Sequence, residues 1–143
     1  MRQTAIVPEF VETAPEDLEP GRLYISIRFR TASHLCACGC GDKVVTPIKP
    51  VKWALTYDGE TVSLWPSIGR WQSSCKSHYV IRRNKVIWHR TFSKKEIKAV
   101  LQKDQDDLRD YYQSREGVEA AQGEAATKPG LLTRVRAWLE RAN

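Results

Sequence analysis

Trp53-Ala54-Leu55-Thr56-Tyr57, then Asp58-Gly59-Glu60, then Thr61-Val62-Ser63-Leu64-Trp65 is the stretch that decides the fold. Two runs rich in β-branched and aromatic residues flank an Asp-Gly pair, and Asp-Gly supplies the positive φ angles of a tight primed hairpin turn. A second hairpin follows, Tyr79-Val80-Ile81-Arg82 and Val86-Ile87-Trp88-His89 around Arg83-Asn84-Lys85. Pro66-Ser67-Ile68-Gly69-Arg70-Trp71 between the hairpins reads as a turn and loop. Upstream, residues 5–12 read as an edge strand interrupted by Pro8, which cannot donate to a ladder. Residues 23–30 alternate apolar and polar as a half-buried strand does, and Val44-Val45-Thr46-Pro47-Ile48 is a short strand stopped by proline. The expected fold class is mainly β, a small antiparallel metal-stabilised β domain over residues 1–92, with C-terminal α-helices.

Helix is expected from Ser93, which forms a capping box with Glu96 three residues on. Ile97, Val100, Leu101 and Leu108 recur at helical spacing, so residues 93–116 form a helix expected to pack on the β domain. Residues 117–130, soft in Ala, Glu and Gln and interrupted by Gly117 and Gly123, read as a linker or frayed helix. Residues 131–143 put Leu131, Leu132, Val135, Trp138 and Leu139 on one face of an amphipathic helix, suited to docking a partner or a membrane surface.

The 143 residues carry a formal net charge of +6. Residues 36–92 hold nine basic and three acidic side chains, so the excess sits in the segment that also holds all four cysteines. No run approaches the roughly 20 apolar residues of a membrane-spanning helix, and the first ten residues lack the apolar core of a signal peptide. A soluble cytoplasmic protein is expected.

In that compartment thiols stay reduced, and clustered cysteines point to metal rather than disulfides. The clusters are His34-Leu35-Cys36-Ala37-Cys38-Gly39-Cys40-Gly41 and Cys75-Lys76-Ser77-His78. Zinc takes four N or S ligands in a tetrahedron. Cys38, Cys40, Cys75 and His78 are the preferred set, and Cys36 is the alternate. A second metal reading uses His34, Cys36, Cys75 and His78, the two-His two-Cys set of a Rieske-type 2Fe-2S cluster, on a Rieske-like or zinc-ribbon-like scaffold. Three or more thiolates saturate the ion, which favours a structural role over a catalytic one. For a nucleophile the chain offers Ser67 after Pro66, Ser77 beside His78, or an unligated cysteine such as Cys36, with no recognisable elbow or triad spacing. The catalytic residues stay unassigned.

Aromatics Trp53, Trp65, Trp71 and Trp88 interleave with Arg70, Arg82, Arg83 and Arg90, a mixture able to stack on and neutralise single-stranded nucleic acid. The competing reading, preferred here, is that the tryptophans fill a small β core.

One set of residues resembles a known family: His34-x-Cys36-x-Cys38-Gly39-Cys40-Gly41, Val44-Val45-Thr46-Pro47, Trp53-x-Leu55, Asp58-Gly59, Ser63-Leu64, Pro66-Ser67-Ile68-Gly69 and Cys75-x-Ser77-His78-Tyr79-x-Ile81. The pattern is similar to that of a Cys-rich bacterial family encoded beside ubiquitin-like, ubiquitin-activating-like and ubiquitin-conjugating-like genes. The resemblance covers roughly residues 5–92 and implies a place in a ubiquitin-like conjugation system, plausibly in anti-phage defence, with protein partners from that system. The leading expectation is a non-catalytic, zinc-stabilised interaction component. The alternatives are a hydrolase or peptidase that removes the ubiquitin-like modifier, and a Rieske-type electron-transfer domain.

Overall fold

The structure, a computed structural model, describes residues 1–127. The eight strands are β1 (Val7–Phe10), β2 (Arg22–Ser26), β3 (Thr31–Leu35), β4 (Lys43–Pro47), β5 (Ala54–Tyr57), β6 (Val62–Gly69), β7 (His78–Arg82) and β8 (Lys85–Trp88), followed by α1 (Lys94–Thr127). They form two four-stranded sheets, β1-β2-β3-β4 and β5-β6-β7-β8. All pairings are antiparallel except β1 on β2, which is parallel. The mainly β expectation therefore holds, with one parallel edge strand. The described residues divide into two units, Met1–Asp104 and the residues from Gln105 onward.

One apolar cluster holds the first unit together. Leu23 and Ile25 of β2, Ala32 of β3, and Val44 of β4 meet Val62, Leu64 and Ile68 of β6 and Tyr79 and Ile81 of β7 there. Burial alternates along β4, as period-2 geometry gives for a half-covered strand, whereas consecutive residues of β2 and β3 are buried. Trp53 and Trp88 pack against this cluster, but Trp65 is 71% exposed, so the tryptophans do not all fill the core.

The stretch read as one strand, residues 23–30, is two elements. Ser26 Oγ donates to the Glu12 carbonyl at 2.6 Å and accepts from the Phe29 N–H at 3.2 Å. Arg30 takes a positive φ of 52°, and the chain turns back into β3. The Asp58-Gly59 loop is four residues long rather than two. Asp58 Oδ1 accepts from the N–H groups of Glu60 (3.1 Å) and Thr61 (2.6 Å), a side-chain turn that replaces the primed one. The two-residue primed turn occurs at Arg83-Asn84 instead, with φ of 47° and 61°.

β6 runs through Pro66-Ser67-Ile68-Gly69, which the sequence suggested was loop. Between the pairs Leu64↔Ile81 and Ile68↔Tyr79, residues 65–67 stand opposite Val80 alone. This bulge lets a proline sit inside a strand and re-aims the residues around it.

At the helix start, the Ser93 N–H donates to Glu96 Oε2 at 2.8 Å and the Glu96 N–H donates to Ser93 Oγ at 3.3 Å, completing the capping box. α1 then continues through Gly117, so the described part of the soft stretch is helical. None of its residues from 94 to 119 is fully buried. The expected amphipathic helix at 131–143 lies outside the described residues. No helix among the described residues is long and apolar enough to cross a membrane.

Candidate functional site

Two neighbouring constellations form where the sheets meet. The first is the sulfur cluster. The chain leaves β3 at Leu35 and turns at once, with the Cys36 N–H donating to the Asp42 carbonyl at 2.8 Å and the Gly39 N–H to the Cys36 carbonyl at 3.0 Å. Gly39 has φ +84°, and a Cβ there would lie 2.9 Å from the Met1 nitrogen, so only glycine fits this close approach. The turn aims Cys36, Cys38 and Cys40 at Cys75, which comes from the loop before β7. All four sulfurs lie within 4.8 Å of one another.

Such a cluster suits a dication. Cys36 Sγ is 3.4 Å from Cys38 Sγ. Burial, with hydrogen bonds to Cys40 and Cys36, pushes the Cys38 thiol up to about 12. Burial pushes Cys75 up as well, but hydrogen bonds from the Ser77 hydroxyl and N–H, together with those of Cys38 and Cys40, outweigh it and bring the thiol down to about 7. Four thiols this close cannot all ionise unless a positive charge sits among them. Ser77 Oγ lies 3.1 Å from Cys36 Sγ and 3.5 Å from Cys75 Sγ, a hydroxyl placed to support the two sulfurs. Arg70 adds a cation: burial pulls its guanidinium down, while Asp42, at 2.8 Å, and the Cys36 and Cys75 sulfurs hold it up.

The histidines do not join the sulfurs. His34 is fully buried on β3, with Nε2 2.9 Å from the Tyr79 hydroxyl. Burial, aided by Arg70, lowers it to about 4, so it is neutral at pH 7. His78 is the first residue of β7, and both its ring nitrogens are engaged elsewhere, forming the second constellation.

His78 Nδ1 lies 2.9 Å from the Arg90 carbonyl, and Nε2 lies 2.9 Å from Ser67 Oγ. A carbonyl only accepts, so Nδ1 carries the proton and donates; in the uncharged ring Nε2 is then a lone pair, and the Ser67 hydroxyl donates to it. The register explains the meeting. Gly69 pairs with His78, and Ser67, two residues back, shares Gly69's face of the sheet. The ring packs edge-on against both Trp71 (centroids 4.9 Å) and Phe92 (4.5 Å), which stack on each other. Trp71 also lies directly over Gly69, where a Cβ would come within 2.6 Å of the indole Nε1. Gly69→Ala is expected to cost about 1–3 kcal/mol and to disturb His78 with it, which thermal melting and the NMR signals of the His78 ring would register together.

The Arg90 carbonyl is itself anchored. The Arg90 guanidinium forms a two-pronged ion pair with Glu96, the capping-box residue of α1. Arg90 first, then the Ser93 N–H and hydroxyl, hold the Glu96 carboxyl down to about 2. A carboxyl lowered on folding contributes stability that is fully present above its unfolded value, about 4.3, and is lost as pH falls toward 2. The melting-temperature gap between the native protein and Glu96→Gln should therefore shrink steadily between pH 5 and pH 2. A gap that stays constant over that range would show that the ion pair contributes nothing.

The sequence had offered Ser67 and Ser77 as equal candidates for a nucleophile. Ser77 faces the sulfurs, and Ser67 faces an oriented imidazole. The Arg90 carbonyl went unnoticed, since a backbone acceptor leaves no mark in side-chain identities. A hydroxyl bonded to a histidine that is in turn oriented by an acceptor is the arrangement of an activated serine nucleophile, with a backbone carbonyl where a carboxylate ordinarily stands.

Residues 10–89 match the model of a family described as "Bacterial ubiquitination-like system serine protease (BubE)". The chain belongs to that family. The matched region holds all four cysteines, Ser67 and His78. No significant match occurs among curated proteins or solved structures. Membership places the chain in a family of bacterial ubiquitination-like systems, as the sequence resemblance implied, and the family's description names a serine protease, which leaves open the hydrolase reading given as the first alternative to a non-catalytic component.

Proposed function

We propose that this protein is a serine peptidase of a bacterial ubiquitin-like conjugation system, hydrolysing the bond at the end of a ubiquitin-like modifier. The observation that carries the reading is the 2.9 Å contact between Ser67 Oγ and His78 Nε2, with Nδ1 held by the Arg90 carbonyl. Ser67 Oγ attacks the scissile carbonyl carbon as its proton passes to His78 Nε2. The tetrahedral intermediate collapses when His78 returns that proton to the leaving amine, leaving an acyl-Ser67. Water, deprotonated by His78, then attacks the acyl carbon and frees Ser67. The Arg90 carbonyl keeps the productive tautomer and stabilises the imidazolium formed on the way.

Cys36, Cys38, Cys40 and Cys75 are the ligands we assign to a metal ion, with zinc favoured. Four thiolates fill a tetrahedron and leave no open position, so the ion's part is to hold the loops that precede β4 and β7. Both ring nitrogens of His78 are engaged, by Ser67 and by the Arg90 carbonyl, which argues against both the Cys3His set and a Rieske cluster, since each would use that imidazole. A purely non-catalytic interaction component would have no use for an oriented Ser–His pair.

A fluorophosphonate probe, which forms a covalent bond with activated serines, tests the reading directly. It is expected to label the native protein at Ser67, located by mass spectrometry of the modified peptide. Labelling at Ser77, or equal labelling of Ser67→Ala, would overturn the assignment.

A further inference from the structure

We infer that the open edge of β6 beside Ser67 is a peptide-binding edge, where a flexible, extended segment of the substrate adds as a further strand. The inference rests on the peptidase reading and deepens it by saying how the substrate is held. β5 covers only half of β6: its pairing ends at Ala54↔Trp65, while β6 continues to Gly69. On its other side β6 is paired through Ile68↔Tyr79 and Gly69↔His78.

The direction of the free backbone groups follows from the bonds already made. The Arg70 N–H donates to the Ser77 carbonyl at 2.9 Å, so Arg70 faces β7. Residues in a strand alternate between neighbours. Ile68 therefore also faces β7, whereas Gly69 turns its N–H and C=O groups to the uncovered edge; Ser67, the last residue of the bulge, lies on the same stretch that β5 leaves unpaired. The His78 carbonyl agrees, since it accepts from the His89 N–H on β8 rather than from β6. Among the described residues no backbone group bonds to Ser67 or Gly69 on that edge.

An unpaired run of backbone donors and acceptors is a template for another strand, normally blunted by charge or covered. Pro66 and the bulge blunt the upstream end of the run, but Ser67, Ile68 and Gly69 carry no charge, and Trp65, 71% exposed, lies just before them. The nucleophile lies within the same run, so a peptide laid along it brings its own backbone carbonyls past Ser67 Oγ. The occupant is accordingly an unfolded stretch such as a protein tail, recognised chiefly through main-chain hydrogen bonds. An apolar side chain on that stretch packs on Trp65. A folded surface loop does not fit, since two-residue alternation requires an extended strand.

The test uses the full chain and an equimolar library of unstructured decapeptides. With Ser67→Ala protein, amide hydrogen exchange at positions 67 and 69 is expected to slow about tenfold or more on adding the library, while Ile68, already paired, is unchanged. The decapeptide giving the greatest protection is then remade with a single N-methyl group at each position in turn. Cleavage by the native protein should fall about tenfold per lost hydrogen bond at alternate positions and hold steady between them. Trp65→Ala should raise KM several-fold with kcat little changed. Ser67-dependent cleavage without protection at 69, or without the two-residue periodicity, overturns the edge and leaves the peptidase reading standing. Protection with no cleavage keeps the edge and sinks the Ser67–His78 reading. Neither protection nor cleavage overturns both.

Discussion

Replacing Ser67 with alanine is expected to abolish hydrolysis of a C-terminally extended ubiquitin-like modifier, lowering kcat by about 10³-fold or more, with fold and metal content unchanged. Ser67 is half-buried, and among the described residues its Oγ bonds to His78 alone, so the replacement takes away one hydrogen bond. KM should move little, because the hydroxyl does its work in the transition state rather than in holding the ground state. His78→Asn should give a loss of similar size, and the double variant should be no worse than either single one. Residues that act as a unit lose their joint contribution at the first replacement. Ser77→Ala supplies the contrast. Its hydroxyl sits on Cys36 and Cys75, so turnover should persist within a few-fold while metal affinity drops. Steady-state kinetics on the four variants, with circular dichroism as a check on folding, decide the matter. A Ser67→Ala protein that turns over at the native rate removes the proposed mechanism.

How much of this was legible in the residues depends on the distance over which each feature is encoded. The second hairpin and the capping box are local. Tyr79-Val80-Ile81-Arg82, the Arg83-Asn84 turn and Ser93 with Glu96 each declare themselves within a few residues, and each appears where expected. The turn between β2 and β3 was hidden because it hangs on Ser26 Oγ bonding to Glu12, 14 residues away, while residues 23–30 on their own alternate like one strand. The parallel pairing of β1 is also non-local, fixed by neighbours that a single strand's pattern does not name.

The site divides in the same way. Clustering of cysteines was visible because the ligand residues are chemically distinctive and come in two short patches. Which of the nearby groups joins them was not visible. Cys75-x-x-His78 has the spacing of a metal knuckle, yet Cys75 lies in the loop and His78 is already on β7, where strand geometry turns its ring to the face shared with Gly69. Ser67 and His78 are 11 residues apart and meet only through the β6–β7 register and the bulge at residues 65–67. The third member of the constellation, the Arg90 carbonyl, exists at every residue of every chain and acquires meaning only from position.

Stripping the metal should both loosen the domain and silence the proposed peptidase activity. The native protein is expected to carry one zinc per chain and to be colourless; iron with visible absorption would overturn the zinc assignment. A ligand that binds only the folded state stabilises it by about 4 kcal/mol when present at roughly a thousand times its Kd. For a unit of about 100 residues that corresponds to a melting-temperature drop of about 20 °C on chelation under reducing conditions. The apolar cluster of the two sheets remains, so a weakened domain is expected rather than the complete unfolding of a zinc finger. Activity should fall more steeply than the melting temperature suggests, for a structural reason. Ser77 touches both Cys36 and Cys75, and His78 is the next residue. Freed of the ion, the loop from Cys75 to His78 loses its anchor at one end, and a small shift of the imidazole ring breaks the 2.9 Å contact with Ser67. Cys36→Ser should reproduce the effect in full, since that sulfur is 1% exposed and no water can stand in for it. Cys40→Ser, at the exposed corner of the cluster, should be milder and partly rescued by excess zinc. Melting and circular dichroism that do not change on chelation, in a preparation shown to have lost its metal, would mean that the four sulfurs hold no structural ion.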